Sequence, residues 1–143
     1  MAGGCPYLVC LLALVSPDDC FLSGDPCHFD ATPVGSAFSG HSEVDLTTNP
    51  TCRSGRVEWH YTYPYLLVTF GGDGLPYTAC IRPTYVDDGY QFYQVKDGQE
   101  TPIHGPNQEQ WWCQKSDHTG NHVTIKVKPK STYYMDVFDF KMQ

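Results

Sequence analysis

RVEWHYTYPYLLVTFGGDGLPYTACIRP, residues 56–83, is the stretch whose reading decides the fold. Val57, Trp59 and Tyr61 alternate with Glu58 and His60, the period-two pattern of a strand with one buried face. Tyr65 to Phe70 is a second run of β-formers, and Pro64 makes the junction between the two runs a bend. Gly71-Gly72-Asp73-Gly74 supplies residues that tolerate positive φ, so the chain can reverse there. Tyr77 to Arg82 alternates again and carries Cys80. Three strands, one reversal and one disulfide end make the core of a β-sandwich. None of these residues is an evident catalyst.

The same two signals, alternation and turn clusters, continue on both sides. Phe21 to Pro50 is rich in Gly, Ser, Thr and Pro and reads as loop plus one edge strand at Val44-Asp45-Leu46. Beyond Pro83, Val86-Asp87-Asp88-Gly89 reads as a turn and Tyr90 to Lys96 as a strand. Lys96-Asp97-Gly98 is a hairpin signal, and Glu100 to Gln108, with Pro102, Gly105 and Pro106, reads as a polar loop. Gln110 to Gln114 is a short strand, and Asp117 to Asn121 is a turn. Val123, Ile125 and Val127 alternate with polar residues in the cleanest half-buried strand of the chain, which Pro129 ends. Tyr133 to Met142 closes the series, with Tyr134, Phe138, Phe140 and Met142 on one face and Asp139 and Lys141 opposite. Apolar residues at helical spacing over three turns are missing. The expected fold is an all-β, antiparallel sandwich of six to eight strands.

Length and composition agree. At 143 residues there is room for one domain with a real core, and an aromatic content of 14% against 17% charged residues suits large packed side chains. A net charge of −7 argues against nucleic acid or an anionic membrane as partner. The apolar run Tyr7 to Val15 is too short to span a bilayer and sits where a secretory leader would sit, with a buried N-terminal strand as the alternative. The cysteines favour the leader, so residues 1–19 are expected to be removed and 20–143 to form a single secreted domain without membrane insertion. Cys5 and Cys10 would leave with it. Cys20, Cys27, Cys52, Cys80 and Cys113 are well spread and form no Cys-x-x-Cys pair. Pairing nearest neighbours joins Cys27 to Cys52 and Cys80 to Cys113, one of three pairings open to those four, each worth about 3–4 kcal/mol. Cys20 is left over: free, linking two chains, or a sign that the leader is cut elsewhere.

The order of these motifs resembles a CUB domain, an extracellular β-sandwich module with two disulfides. VEWHY after Cys52, YQFYQVKDG between the third and fourth cysteines, and the alternating NHVTIKVKP followed by YYMDVFDFKM carry the likeness. A nearer resemblance is to the N-terminal CUB-like region of the meteorin and meteorin-like proteins, on CRSGRVEWHYTYPYLLVTFGG, then ACIRP, then a single cysteine at Cys113. It covers roughly Cys27 to Met142. Meteorins continue into a netrin-like second domain that these 143 residues do not include, so the resemblance implies either a single-module relative or the first module of something longer. The resemblance implies a secreted, growth-factor-like signal that binds an extracellular protein or receptor.

Candidate chemistry is sparse. Many CUB domains bind Ca²⁺ through acidic loop residues, which the resemblance would place among Glu43, Asp45, Asp87, Asp88 and Asp117; calcium needs six to eight oxygens, and solvated turn aspartates are the plainer reading. No other cofactor is expected. Among six histidines, His118 and His122 are four apart, but Gly120 and Asn121 make that segment a turn, and His60 is expected on the solvent side of its strand. No Gly-x-Ser-x-Gly, His-Glu-x-x-His or phosphate-binding glycine loop is present, and the chain is read as no enzyme. Trp111-Trp112 is the candidate interaction feature: on a strand the two indoles face opposite sides, so at most one enters the core and the other is exposed or covered by the Phe21–Phe38 segment. An exposed indole suits a protein partner, and equally a sugar ring, so a carbohydrate-binding or matrix module is the alternative function, with a small secreted enzyme third.

Overall fold

Alternating apolar and polar residues build eleven strands in a computed structural model that describes residues 26–36, 39–49, 51–60, 63–71, 74–84, 90–104, 110–116, 122–130 and 136–143. They are β1 (His28–Asp30), β2 (Thr32–Val34), β3 (His41–Asp45), β4 (Ser54–Trp59), β5 (Leu66–Phe70), β6 (Thr78–Pro83), β7 (Tyr90–Lys96), β8 (Gln99–Pro102), β9 (Trp112–Lys115), β10 (Val123–Pro129) and β11 (Asp136–Met142). Among the described residues a 3-10 turn, Leu46–Thr48, is capped by Asp45, whose carboxylate accepts from Thr47 N–H at 2.9 Å. Residues 1–25 lie outside this description, and with them the expected leader and Cys20.

Two sheets form, in the orders β1-β4-β11-β6-β9 and β2-β3-β5-β10-β7-β8. Their facing sides make the core, so the fold is the disulfide-stapled β-sandwich expected. Val57 and Trp59 from β4, Ala79 and Ile81 from β6, and Phe138, Phe140 and Met142 from β11 point inward from the first sheet. Opposite them stand Val44, Leu66, Val68, Phe70, Phe92, Val123, Ile125 and Val127. Aromatic pairs cross the gap. Phe92 meets Phe138 at 5.6 Å edge to face, Phe70 meets Phe140 at 5.9 Å, and Trp59 meets Tyr90 at 5.6 Å. Such pairs add about 0.5–1.5 kcal/mol each beyond the area they bury.

Polar ties also cross. The Trp59 indole N–H donates to Ser42 Oγ on β3 at 3.0 Å, with both side chains buried. Tyr77 O–H donates to the Phe70 carbonyl at 2.8 Å and accepts from Val123 N–H at 3.1 Å. Among the described residues, disulfides join Cys27 to Cys52 and Cys80 to Cys113. The second bridges residues directly opposite each other on β6 and β9, at a Cα separation of 4.1 Å.

Several local expectations are revised. The decisive stretch does not form neighbouring strands: β4 and β6 belong to the first sheet and β5 to the second, so the chain crosses the sandwich twice between Arg56 and Pro83. Val44 is not on an edge strand. It lies on β3, between β2 and β5, and the Phe21–Pro50 region carries β1 and β2 as well. β1 and β2 were hidden because they have only three residues each, too few to show a period. Part of the Glu100–Gln108 loop is strand β8, the outer strand of its sheet. Asp97 at φ 52° and Gly98 at φ 75° make a two-residue reversal that returns the chain onto β7. All four β8 residues are exposed, so no buried face marked it in the sequence. Two pairs, β1 with β4 and β3 with β5, run parallel; the other pairs among the described residues are antiparallel, as expected.

Candidate functional site

The outward face of the first sheet gathers most of the exposed chemistry. On β4 the inward Val57 and Trp59 leave Arg56 and Glu58 outside; on β11 the inward Phe138 and Phe140 leave Asp139 and Lys141 outside. Arg82 of β6 stands in register with Asp139. The Asp139 carboxylate therefore receives two guanidiniums, Arg56 Nε at 2.9 Å and Arg82 Nη2 at 3.2 Å. Two cations, Arg56 and Arg82, meet at one carboxylate, and Lys141 stands two residues along the same face of β11.

Trp111 completes that face. Trp112 pairs with Ile81 across β6 and β9 and packs against the core, so its neighbour projects the other way. The Trp111 ring lies 4.6 Å from the Arg82 guanidinium and 4.4 Å from the Lys141 ammonium. Both indoles are half-buried. Trp111 is thus held by cation–π contacts, each worth about 0.5–1 kcal/mol at an exposed site. Phe21 and Phe38, the expected cover, lie outside the described residues. On the same face Cys80 is buried while its disulfide partner Cys113 is exposed.

A second group occupies the far edge of this face, where β1 lies parallel to β4. Register places Asp30 opposite Glu58 and His28 opposite Arg56. His28 Nε2 lies 3.2 Å from Glu58 Oε1, and His60 Nε2 lies 2.9 Å from Glu58 Oε2 and 3.7 Å from Asp30 Oδ1. His28, Asp30 and Glu58 each offer a ligand atom within 4.8 Å of the others. The hydrogen bond with His60 and the neighbouring His28 hold the Glu58 carboxyl below the usual carboxylate range, against the opposing effect of burial. The first disulfide fixes this edge, since Cys27 immediately precedes β1 and Cys52 lies just before β4. Gly55 is required there: a Cβ would stand 2.0 Å from the Cys27 carbonyl oxygen.

The calcium candidates are only partly placed. Glu43 and Asp45 share a side of β3, but the Asp45 carboxylate caps the Leu46–Thr48 turn and Glu43 lies 3.6 Å from His41. Asp87, Asp88 and Asp117 lie outside the described residues, as does His118. His60 is exposed, on the side of its strand expected for it. A polar cleft of about 330 Å³ opens at one end of the sandwich, lined in part by Lys96, Asp97, Lys115, Ser116 and His122. It contains none of the groups described above.

Reading residues by type missed His28, Asp30 and Glu58, and it missed the part Arg82, Asp139 and Lys141 play around Trp111. The alternation in His28-Phe29-Asp30 and in Arg56 to His60 puts the polar members of each strand on one side. What it cannot supply is that these two strands are neighbours. No protein-family model matches the chain, and no similar protein was found among curated sequences.

Proposed function

We propose that this chain is a secreted extracellular binding protein, a signalling factor or modulator of the meteorin-like kind, that works by protein–protein recognition. The observation that carries this reading is Trp111, half-buried and flanked by Arg82 and Lys141 on the outward face of the first sheet. Tryptophan and arginine are the residues most enriched where binding energy concentrates. The local excess of positive charge stands out in a chain of net charge −7. It suits a partner surface that presents carboxylates beside an apolar or aromatic group. The two disulfides fit an oxidising, extracellular setting, and no helix among the described residues is long and apolar enough to cross a membrane. The motif order from Cys27 to Met142 supports the meteorin-like assignment of the role.

The test is cross-linking of the tagged protein to cell-surface receptors from conditioned medium, with candidate ectodomains then titrated in vitro. Trp111→Ala and Arg82→Ala should each weaken binding by about tenfold or more without changing the fold. A captured partner that binds both variants as well as the wild type refutes the assigned face. Binding on a glycan array that depends on Trp111, with no protein captured, would replace this reading by the carbohydrate-binding one.

A further inference from the structure

The geometry points to a surface site for a divalent transition-metal ion, Zn²⁺ by its ligand chemistry, formed by His28, Asp30, Glu58 and His60 where β1 lies on β4. It goes beyond the recognition role proposed above and does not depend on it. Tetrahedral zinc takes imidazole nitrogens and carboxylate oxygens at about 2.0–2.2 Å, which sets neighbouring ligand atoms about 3.3–3.6 Å apart. The contacts His28–Glu58, His60–Glu58 and His60–Asp30, at 3.2, 2.9 and 3.7 Å, bracket that spacing. His28, Asp30 and Glu58 already offer ligand atoms within 4.8 Å of one another, and His60, the residue after β4, reaches Glu58 and Asp30, so side-chain rotations bring the fourth donor to the group.

The backbone beneath is fixed. Arg56 N–H donates to the Cys27 carbonyl at 3.0 Å and Ala31 N–H to the Glu58 carbonyl at 2.9 Å, so β1 is laddered to β4 at both ends. The Cys27–Cys52 disulfide and the close approach at Gly55 hold the same junction. Phe29, between the two β1 ligands, turns inward to meet Phe140 at 6.1 Å. Two strands thus present a two-histidine, two-carboxylate set on a rigid support. Its two carboxylates carry two negative charges when the imidazoles are neutral, which one divalent cation balances. Half the donors are imidazole nitrogens, which suits zinc, copper or nickel and disfavours calcium and magnesium.

The test uses the full chain, expressed with its disulfides formed and stripped with chelator, titrated calorimetrically with ZnCl₂ and with CaCl₂. One equivalent of zinc should bind and raise the melting temperature by about 5 °C, with no response to calcium. The His28→Asn/His60→Asn variant removes two exposed side chains and should keep the metal-free melting temperature while losing affinity at least about 100-fold. Zinc that does not bind the wild type, or binds this variant equally well, overturns the site. Independently of any variant, stoichiometric zinc should shift the imidazole resonances of His28 and His60 and leave those of His104 and His122 in place. The reverse pattern also overturns it.

Discussion

Replacing Trp59 tests the bond that ties the two sheets together beneath the candidate site. Its indole is 1% exposed, Ser42 is fully buried, and their hydrogen bond spans from β4 to β3 in the opposing sheet. Trp59→Ala removes the largest buried side chain and its contact with Tyr90, and should cost about 3–5 kcal/mol, a large part of the 5–15 kcal/mol margin of a domain. The more informative variants keep the core filled. Trp59→Phe preserves an aromatic ring but orphans the Ser42 hydroxyl, and Ser42→Ala orphans the indole N–H. Each leaves one buried polar group unpaired, at about 1–3 kcal/mol. The double variant leaves neither orphan, so it should be more stable than the sum of the two singles predicts, by about 1 kcal/mol. Urea unfolding with the disulfides intact, followed by far- and near-ultraviolet circular dichroism, measures all three. Additivity within about 0.3 kcal/mol would refute the cross-sheet bond. An unchanged midpoint for Trp59→Ala would refute the core itself.

Three further outcomes are expected. Tyr77→Phe leaves the Phe70 carbonyl and the Val123 N–H without the hydroxyl they share, and should lower stability by about 1–3 kcal/mol in the same assay; burial pushes the Tyr77 hydroxyl above its ordinary pKa, so no response is expected from raising the pH to 9. Gly55→Ala forces a Cβ onto the Cys27 carbonyl and should lower the urea midpoint by about 2 kcal/mol equivalent or more, while an unchanged midpoint would mean that β1 does not lie on β4. Glu100 accepts from Lys126 at 2.6 Å and from Lys128, and these hydrogen bonds hold its carboxyl below the usual range. A carboxyl lowered in the folded state stabilises above its unfolded pKa, and that contribution is lost as pH falls through the folded value. Glu100→Gln should therefore flatten the acid limb of the stability curve below about pH 4.5 and leave its slope near pH 7 unchanged.

Alternation alone determined the class of this fold. Val57–Trp59, Leu66–Phe70, Val123–Val127 and Phe138–Met142 each bury one face in the structure as the pattern required, because side chains on a strand must alternate whatever their neighbours are. The Asp97-Gly98 reversal was legible for the same local reason, since few residues tolerate positive φ. That Trp111 and Trp112 part company also follows from strand geometry alone. Which strand lies beside which was decided only by the tertiary structure. The strand pairs that make both candidate sites, β1 with β4 and β6 with β11, join segments far apart in sequence, and a one-dimensional pattern holds no register between distant segments. Hence His28 and Asp30 give no sign in the sequence of standing beside Glu58 and His60, nor Arg82 and Lys141 of flanking Trp111. The short strands β1, β2 and β8 were likewise settled by pairing and not by their own residues, because three or four mostly exposed positions bury too little apolar surface to leave a mark on composition.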